Sequence, residues 1–244
     1  AWGHNNYGQS DIPEELDEVT AITEGNSHSL ALKSDGTVVA WGFNNSGQLD
    51  VPGNDSLSEL YLQGGVLNPS FSPSDTEYTY YIGPSVSSVN ITATLADTVN
   101  TELYVVNQPH ASGTVATFNV PGASTVIPVR AEPYLKPPRT YTITVMRDDT
   151  PPDVQFAANG NTTPAQLAES TVTVNDTESG VDVDSLQYVW TPSTNVPASG
   201  WTTFENGDTL RQTTGDGNRY LHIRALDLVG NVTYTVSDVF VLDN

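Results

Sequence analysis

Residues 40–52 have the sequence Ala40-Trp41-Gly42-Phe43-Asn44-Asn45-Ser46-Gly47-Gln48-Leu49-Asp50-Val51-Pro52. The same motif stands 39 residues earlier as Ala1-Trp2-Gly3-His4-Asn5-Asn6-Tyr7-Gly8-Gln9-Ser10-Asp11-Ile12-Pro13, with nine of the thirteen positions identical. Similarity at a spacing of about 40–50 residues is typical of propeller blades and solenoid repeats. A propeller needs about four to eight blades to close. Since this sequence contains one complete repeat and the end of another, we expect it to be the end of a longer polypeptide.

The complete repeat has the pattern of a β-sheet. Apolar residues alternate from His28 to Leu32, Asp35-Gly36 is a strong hairpin signal, and 37–41 forms the return strand. We predict a four-stranded blade. Serines flank His28, but neighbouring residues of a strand point to opposite faces, so they form no catalytic triad with it. We expect a buried, hydrogen-bonded histidine with a structural role.

From Val19 to Gly42 the sequence resembles the propeller repeats of the regulator-of-chromosome-condensation family, nearly position by position. The resemblance implies a blade of a β-propeller. Members of this family differ in function, since nuclear members act on chromatin and small GTPases whereas some secreted bacterial members bind other proteins. The fold alone therefore assigns no function.

Residues 57–73 and 139–147 resemble the two ends of the bacterial cadherin-like β-sandwich of secreted and surface proteins. Between them, short stretches alternate apolar and polar residues, as in half-buried antiparallel strands. About seven strands in some 90 residues is typical of a sandwich. We expect the tyrosines from Tyr78 to Tyr81 to pack in its core rather than to bind sugar.

A third segment begins with Asp148-Asp149-Thr150-Pro151-Pro152-Asp153. Residues 219–231 resemble the closing hairpin of bacterial immunoglobulin-like repeats, which commonly carry an Asp-x-x-Gly-Asn turn, and we expect Trp190 and Trp201 to be core anchors. The predicted fold is therefore all-β. It consists of a partial propeller repeat (1–55), a cadherin-like antiparallel β-sandwich (56–147) and an immunoglobulin-like antiparallel β-sandwich (148–244) in tandem.

The charge balance restricts the partners of this chain. Of 244 residues, 29 are acidic and 8 are basic, which gives a net charge of −21. Such a chain should repel nucleic acid and anionic membranes, which attract clusters of Lys and Arg. No apolar stretch approaches the roughly 18 residues of a membrane span. We therefore expect no nucleic-acid partner and no membrane insertion.

Calcium is the one cofactor that the sequence suggests, because it binds six to eight carboxylate, carbonyl and water oxygens. The predicted ligands are Asp148, Asp149, Asp153 and Asp227, and a second acidic group comprises Asp176, Glu178, Asp182 and Asp184. Neither group matches the twelve-residue calcium loop, so both sets can also be solvated turn residues. Zinc is disfavoured because the four histidines are scattered and the chain contains no cysteine.

No catalytic motif is present, neither a phosphate-binding glycine loop nor a nucleophile elbow nor a paired-histidine metal motif. We predict a non-catalytic structural or adhesive module of a secreted or surface-attached bacterial protein. It would act as a spacer or assembly unit that contacts other copies of itself or other surface proteins. Two alternatives remain: a carbohydrate- or wall-binding accessory region of a secreted polysaccharide-degrading enzyme, and protein binding through the complete propeller.

Overall fold

The computed structural model describes residues 2–14 and 16–244, and these residues form twenty β-strands and one short 3-10 helix. The chain divides into two compact units. The first comprises the residues up to Gln63 together with Leu67–Tyr80 and Ser87–Val145, and the second comprises Gly64–Val66, Tyr81–Val86 and Met146–Asn244. None of the described residues belongs to a helix that is long and apolar enough to span a membrane. The all-β prediction is confirmed.

The repeat near the N-terminus forms an antiparallel sheet of three strands, β1 (Val19–Glu24), β2 (His28–Lys33) and β3 (Val38–Gly42). The predicted hairpin is confirmed. Gly36 has a φ of +86°, which suits glycine, and the Asp35 carboxylate accepts a hydrogen bond of 2.8 Å from Thr37 N–H. His28 is half-buried with its ring against the backbone of Gly25.

The prediction of a fourth strand is wrong for the described part of this segment, because residues 2–14 and 16–18 contain no strand. Gly8 N–H bonds to Asn5 C=O and Asp11 N–H to Gly8 C=O, while the Asn5 side chain accepts from Ser10 N–H. These local bonds wind the chain into consecutive turns and compete with an extended strand. The motif at 40–52 repeats the same pattern, with Leu49 N–H donating to the side chain of Asn44.

The cadherin-like segment consists of two antiparallel sheets whose strands bury alternate residues. One sheet has the order β10-β7-β4, with β4 at Leu57–Gln63, β7 at Ser88–Leu95 and β10 at Val115–Asn119. The other has the order β5-β6-β12-β11-β8-β9 and comprises β5 (Gly65–Asn68), β6 (Glu77–Ile82), β8 (Thr101–Val105), β9 (Gln108–His110), β11 (Ser124–Pro133) and β12 (Arg139–Arg147). Tyr78 and Tyr80 are buried, which confirms their predicted place in the core.

The C-terminal segment also has two sheets with a shared core. The first has the order β13-β14-β17 and comprises β13 (Asp153–Phe156), β14 (Ala168–Asn175) and β17 (Thr209–Gln212). The second comprises β15 (Gln187–Thr191), β16 (Thr202–Thr203), β18 (Gly217–Leu226), β19 (Val232–Val236) and β20 (Phe240–Leu242). Val172 and Leu210 of one sheet pack with Leu221 and Ile223 of the other.

The two predicted tryptophan anchors are both half-buried. Trp190 packs edge-to-face on Phe240 with ring centroids 5.2 Å apart, and it also contacts the small cluster of Ala168, Phe240 and Leu242. Trp201 lies 6.3 Å from the ring of Tyr234 and donates its indole N–H to Pro197 C=O. Trp190 is therefore a core anchor, whereas Trp201 holds the loop before β16.

One tyrosine hydroxyl links the two cadherin-like sheets. The fully buried Tyr141 accepts a hydrogen bond of 3.0 Å from Leu57 N–H and donates one of 2.9 Å to Pro73 C=O. We expect Tyr141→Phe to lower the free energy of unfolding by about 1–3 kcal/mol, because it leaves a buried amide without a partner. Urea unfolding measures the change. Tyr134→Phe, at a half-exposed tyrosine, is the control and should have little effect.

A second prediction concerns Asp55, whose carboxylate lies 2.7 Å from Lys136 Nζ and 3.2 Å from Arg139 Nε. Partial burial raises the pKa of Asp55, but the hydrogen bonds and charges of these cations outweigh it and hold the pKa below its ordinary value. The ion pairs of Asp55 therefore contribute fully to the stability of the folded state above the unfolded-state pKa of about 3.9. This contribution is lost as the pH falls through the folded-state pKa of Asp55.

We expect Asp55→Asn to cost on the order of 1 kcal/mol at pH 7 and almost nothing in strong acid. Thermal unfolding at a series of pH values measures this difference. Asp75→Asn, at an exposed aspartate outside the ion pairs of the described residues, is the control. An Asp55→Asn effect that does not change with pH would contradict the ionic explanation.

Candidate metal centre

Three aspartates in the second unit follow directly after strands. Asp148 follows β12, Asp176 follows β14 and Asp227 follows β18. Each aspartate therefore lies at the end of its strand. One oxygen from each of the three carboxylates lies within 4.8 Å of the others. Asp148 and Asp227 are buried and Asp176 is partly buried.

Hydrogen bonds fix both the backbone and the side chain of Asp148. Its N–H donates to Ile82 C=O at 2.9 Å, and its carboxylate accepts from the N–H groups of Thr150 and Ser179 at 3.0 and 3.1 Å. Its own C=O accepts from the Asn231 side-chain amide at 3.0 Å. Its position is thus fixed by both backbone and side chain.

The turn from Asp227 to Asn231 is the one that the sequence predicts. The Asp227 carboxylate accepts from the N–H groups of Val229 and Asn231 and from the Asn231 side-chain amide, the last at 2.6 Å. Gly230 has a φ of +97°, a conformation that suits glycine. Asn231 therefore binds two of the three acidic positions at once, because its amide also donates to Asp148 C=O.

The turn after β14 has the same local chemistry. The Asp176 carboxylate accepts from Glu178 N–H at 3.0 Å and from Gly180 N–H at 2.7 Å. This turn is joined to the Asp227 turn, since Leu228 N–H donates to Gly180 C=O at 2.9 Å and Val181 forms an isolated bridge with Asp227. The convergence of carboxylates thus rests on backbone pairing rather than on mobile side chains.

No salt bridge within residues 2–14 and 16–244 reaches Asp148, Asp176 or Asp227. Two ionised groups about 4 Å apart interact by about 4 kcal/mol at an effective dielectric constant of about 20. Burial raises the pKa of Asp148, yet hydrogen bonds from Ser179, Thr150 and Glu178 outweigh it and hold the pKa below its ordinary value. The pKa of Glu178 is raised because its carboxyl group shares a hydrogen bond with Asp148. Negative charge is therefore concentrated here without a basic side chain.

Ser179 adds a buried hydroxyl group to this site. The residue is 5% exposed, and its hydroxyl oxygen is buried beside the Asp148 carboxylate, whose charged form it favours. A hydroxyl group that donates its proton to a carboxylate still has lone pairs that can bind a cation.

The donor set of the centre consists of oxygen atoms from three carboxylates and one hydroxyl group. Such ligands suit hard cations such as calcium, whereas zinc sites are dominated by nitrogen and sulfur. Each ionised carboxylate can accept about four hydrogen bonds or ligand contacts. The oxygens that accept backbone N–H groups therefore keep capacity for a cation. The residues present fit calcium.

The structure brings together only part of the ligand set predicted from the sequence. Asp148 and Asp227 converge, whereas Asp149 and Asp153 are exposed and Asp153 accepts instead from the Gln155 side-chain amide. From the second acidic group, Asp176 joins the centre. Asp182 accepts from Asp184 N–H and begins the 3-10 helix, and Asp184 is exposed.

Sequence analysis missed the pairing of Asp176 with Asp148 and the role of Ser179. The run Asp176-Thr177-Glu178-Ser179-Gly180 has the residue types of an Asx turn, so the turn itself could have been predicted from the sequence. Its alignment with the other two turns depends on the strand pairing, which local sequence does not determine.

Two segments of the chain match protein-family models. Residues 19–48 match the regulator of chromosome condensation (RCC1) repeat, and residues 54–148 match the cadherin-like beta sandwich domain. Both predicted resemblances are confirmed. Cadherin-like domains are typically non-catalytic, and they commonly bind calcium. Asp148 is the last residue of the cadherin-like match.

No curated protein matches the chain. Among solved structures, it is similar to the fibronectin(III)-like modules of Clostridium thermocellum CbhA, at 13% identity and a TM-score of 0.34, over 73% of this chain and 94% of that one. It is also similar to immunoglobulin domains 1–4 of Sidekick-1, at 10% identity and a TM-score of 0.31, over 91% of this chain and 60% of that one. For extracellular domains 3–5 of Drosophila OTK, the identity is 9% and the TM-score 0.31, over 89% and 70% of the two chains. Similarity at this level carries no argument about function.

We expect Asn231→Ala to lower the free energy of unfolding by about 1–3 kcal/mol in the presence of a chelator, because it removes both side-chain hydrogen bonds to the acidic positions. Thermal unfolding measures the change. Asn218→Ala, at an exposed position of β18, is the control. Equal melting temperatures of the two variants would mean that Asn231 does not hold the turns together.

Proposed function

We propose that this chain is a non-catalytic structural or adhesive segment of a secreted or surface-attached bacterial protein, and that calcium bound at the acidic centre stabilises its C-terminal unit. The segment acts as a spacer between functional parts of such a protein. The match of residues 54–148 to a cadherin-like sandwich supports the extracellular, structural role. The high negative charge keeps such a segment soluble.

One observation carries the calcium part of the proposal. Three carboxylates from three separate turns converge within 4.8 Å, two of them are buried, and no basic side chain of the described residues pairs with them. Asp148, Asp176 and Asp227 would hold the ion, and the Ser179 hydroxyl would add a further oxygen atom. A calcium ion supplies the positive charge that these carboxylates lack. By joining the turns that follow β14 and β18, which belong to different sheets, it would resist separation of the two sheets of this unit.

We expect calcium to raise the melting temperature of the second unit. A ligand that binds only the folded state adds about 2.7 kcal/mol at a hundredfold excess over its Kd. For a domain of about 100 residues this corresponds to a rise of roughly 10 °C or more. Differential scanning calorimetry in millimolar calcium and in chelator measures the shift, and isothermal titration calorimetry counts the ions bound.

Matched charge changes test which residues bind the ion. Asp176→Asn keeps the side-chain oxygen that accepts from Glu178 and Gly180 but removes the negative charge, so it should abolish most of the calcium-dependent rise. Asp149→Asn and Asp153→Asn remove the same charge from exposed predicted ligands and should leave the rise intact. An identical melting temperature in calcium and in chelator would refute the calcium site. Loss of the response in Asp149→Asn but not in Asp176→Asn would place the ion beside Asp149 and would contradict the centre proposed at Asp148, Asp176 and Asp227.

A further inference from the structure

Four polar and aromatic side chains share the outer face of two paired strands of the cadherin-like segment, β8 and β11. The register pairs Tyr104 with Arg130 and Glu102 with Glu132, while the residues between them are buried in the core. Residues directly opposite each other in an antiparallel pair lie on the same face, and like charges in such a pair destabilise it. The stability of the sheet therefore does not explain why two glutamates are paired here.

Contacts among these four side chains fix the ring of Tyr104. Its hydroxyl group donates a hydrogen bond of 2.7 Å to the Glu102 carboxylate, and the guanidinium carbon of Arg130 lies 4.6 Å from the ring centroid. Arg130 Nη2 in turn lies 3.1 Å from Glu132 Oε2. The ring and both carboxylates are thus oriented in the absence of a ligand, which reduces the entropy that binding would cost.

Two adjoining cavities lie over this surface. One has a volume of about 490 Å³ and extends to His110, and the other has a volume of about 560 Å³ and extends to Tyr134. Glu102 and Tyr104 line both of them. Ligand pockets commonly have volumes of about 300–1,000 Å³. Because the two cavities share these walls, they form one elongated groove, which we call the tyrosine groove.

Tyr134 and Leu135 form an apolar wall at one end of the tyrosine groove. Tyr134 N–H donates to Asn100 C=O at 2.7 Å, and Tyr134 C=O accepts from Gly53 N–H at 3.0 Å, so its backbone is fixed. Nevertheless Tyr134 is 52% exposed and Leu135 is 63% exposed. Leu135 has a φ of +59°, a left-handed conformation that leucine rarely adopts. Strained residues of this kind cluster at functional sites such as ligand clamps.

The chemistry of the tyrosine groove fits a hydroxylated ligand without charge. A sugar hydroxyl group both donates and accepts hydrogen bonds, and the walls offer acceptors in Glu102 and Glu132 and a donor in the Asn100 side-chain amide. The C–H face of a pyranose ring packs on the electron-rich face of an aromatic ring, such as that of Tyr134. A polyanion would be repelled by the two glutamates and by the net charge of −21.

A basic peptide fits the tyrosine groove less well than a sugar does. The Glu132 carboxylate already pairs with Arg130, and the Glu102 carboxylate already accepts from the Tyr104 hydroxyl group. A cationic side chain would therefore have to compete with Arg130 for the same carboxylate and would be repelled by it. A neutral hydroxyl group can join these hydrogen bonds without displacing a charge.

We propose that the tyrosine groove binds a linear neutral polysaccharide. Tyr134 stacks on one sugar ring, and Glu102, Glu132 and Asn100 form hydrogen bonds with the hydroxyl groups of the chain. Tyr104 and Arg130 hold the two carboxylates in place. The proposal goes beyond the spacer function, and it does not depend on calcium, because all these residues belong to the first compact unit whereas the acidic centre belongs to the second.

The test is isothermal titration calorimetry of the whole chain with cellohexaose, xylohexaose, mannohexaose and chitohexaose, in chelator so that the acidic centre does not contribute. We expect at least one of these neutral hexasaccharides to bind, with an affinity that does not change with ionic strength because the ligand has no charge to screen. Tyr134→Ala should weaken binding by about tenfold or more, since it removes the apolar surface that the sugar covers. Glu102→Gln should weaken it by about fivefold, because hydrogen bonds to a carboxylate are stronger than those to an amide.

Tyr61→Ala and Glu59→Gln are the matched controls. Tyr61 is 56% exposed, and both residues lie on β4 of the other sheet, so neither change should affect binding. Failure of all four hexasaccharides to bind would overturn the proposal. So would equal losses in Tyr61→Ala and Tyr134→Ala, because the sugar would then not be held in the tyrosine groove. Salt-sensitive binding of oligolysine that Glu102→Gln abolishes, without binding of any sugar, would instead identify the groove as a site for basic peptides.

Discussion

Asp148 is the residue on which the acidic centre of the second unit depends, because its hydrogen bonds connect four separate positions of that unit. Its backbone N–H is bound by Ile82, its C=O by Asn231 and its carboxylate by Thr150 and Ser179. A fully buried carboxylate is costly to desolvate and persists only where hydrogen bonds or a cation compensate it. The backbone donors compensate part of this cost, but they also hold Asp148 beside Asp176 and Asp227. The hydrogen bonds that stabilise one charge thus gather three carboxylates in one place, and the calcium proposal rests on this arrangement.

Local sequence was sufficient to predict two of the turns. The Asp35-Gly36 hairpin and the Asp227–Asn231 turn form as their residues predict, because Asp, Asn and Gly satisfy the backbone within a few positions. Tyr141, Ile143 and Val145 alternate with threonines along β12, and all three are buried, as a period of two residues requires of a half-buried strand. These features depend on period and turn chemistry alone.

The ligand set was harder to predict because neighbours in sequence need not be neighbours in space. Asp149 and Asp153 are adjacent to Asp148 along the chain, yet they point to solvent on either side of Pro151-Pro152. Asp176 is distant in sequence and reaches the centre through the pairing of β13 with β14 and the bridge at Val181. Sequence composition locates the turns, whereas strand register decides which of them meet.

The repeated motif shows most clearly what local sequence determines and what the tertiary surroundings determine. At both copies the asparagine side chain accepts from the backbone five residues on, so Asn5 and Asn44 build the same turn. The surroundings of the two copies differ, because one lies on the sheet of its own repeat type and the other beside a cadherin-like sandwich. A motif that keeps its local structure against two different neighbours does not need either of them to fold its turn. Its apolar residues do need cover, which explains why Val51 is buried while Ile12, its counterpart, is 56% exposed. Exposure at equivalent positions of a repeat therefore depends on which neighbour is present.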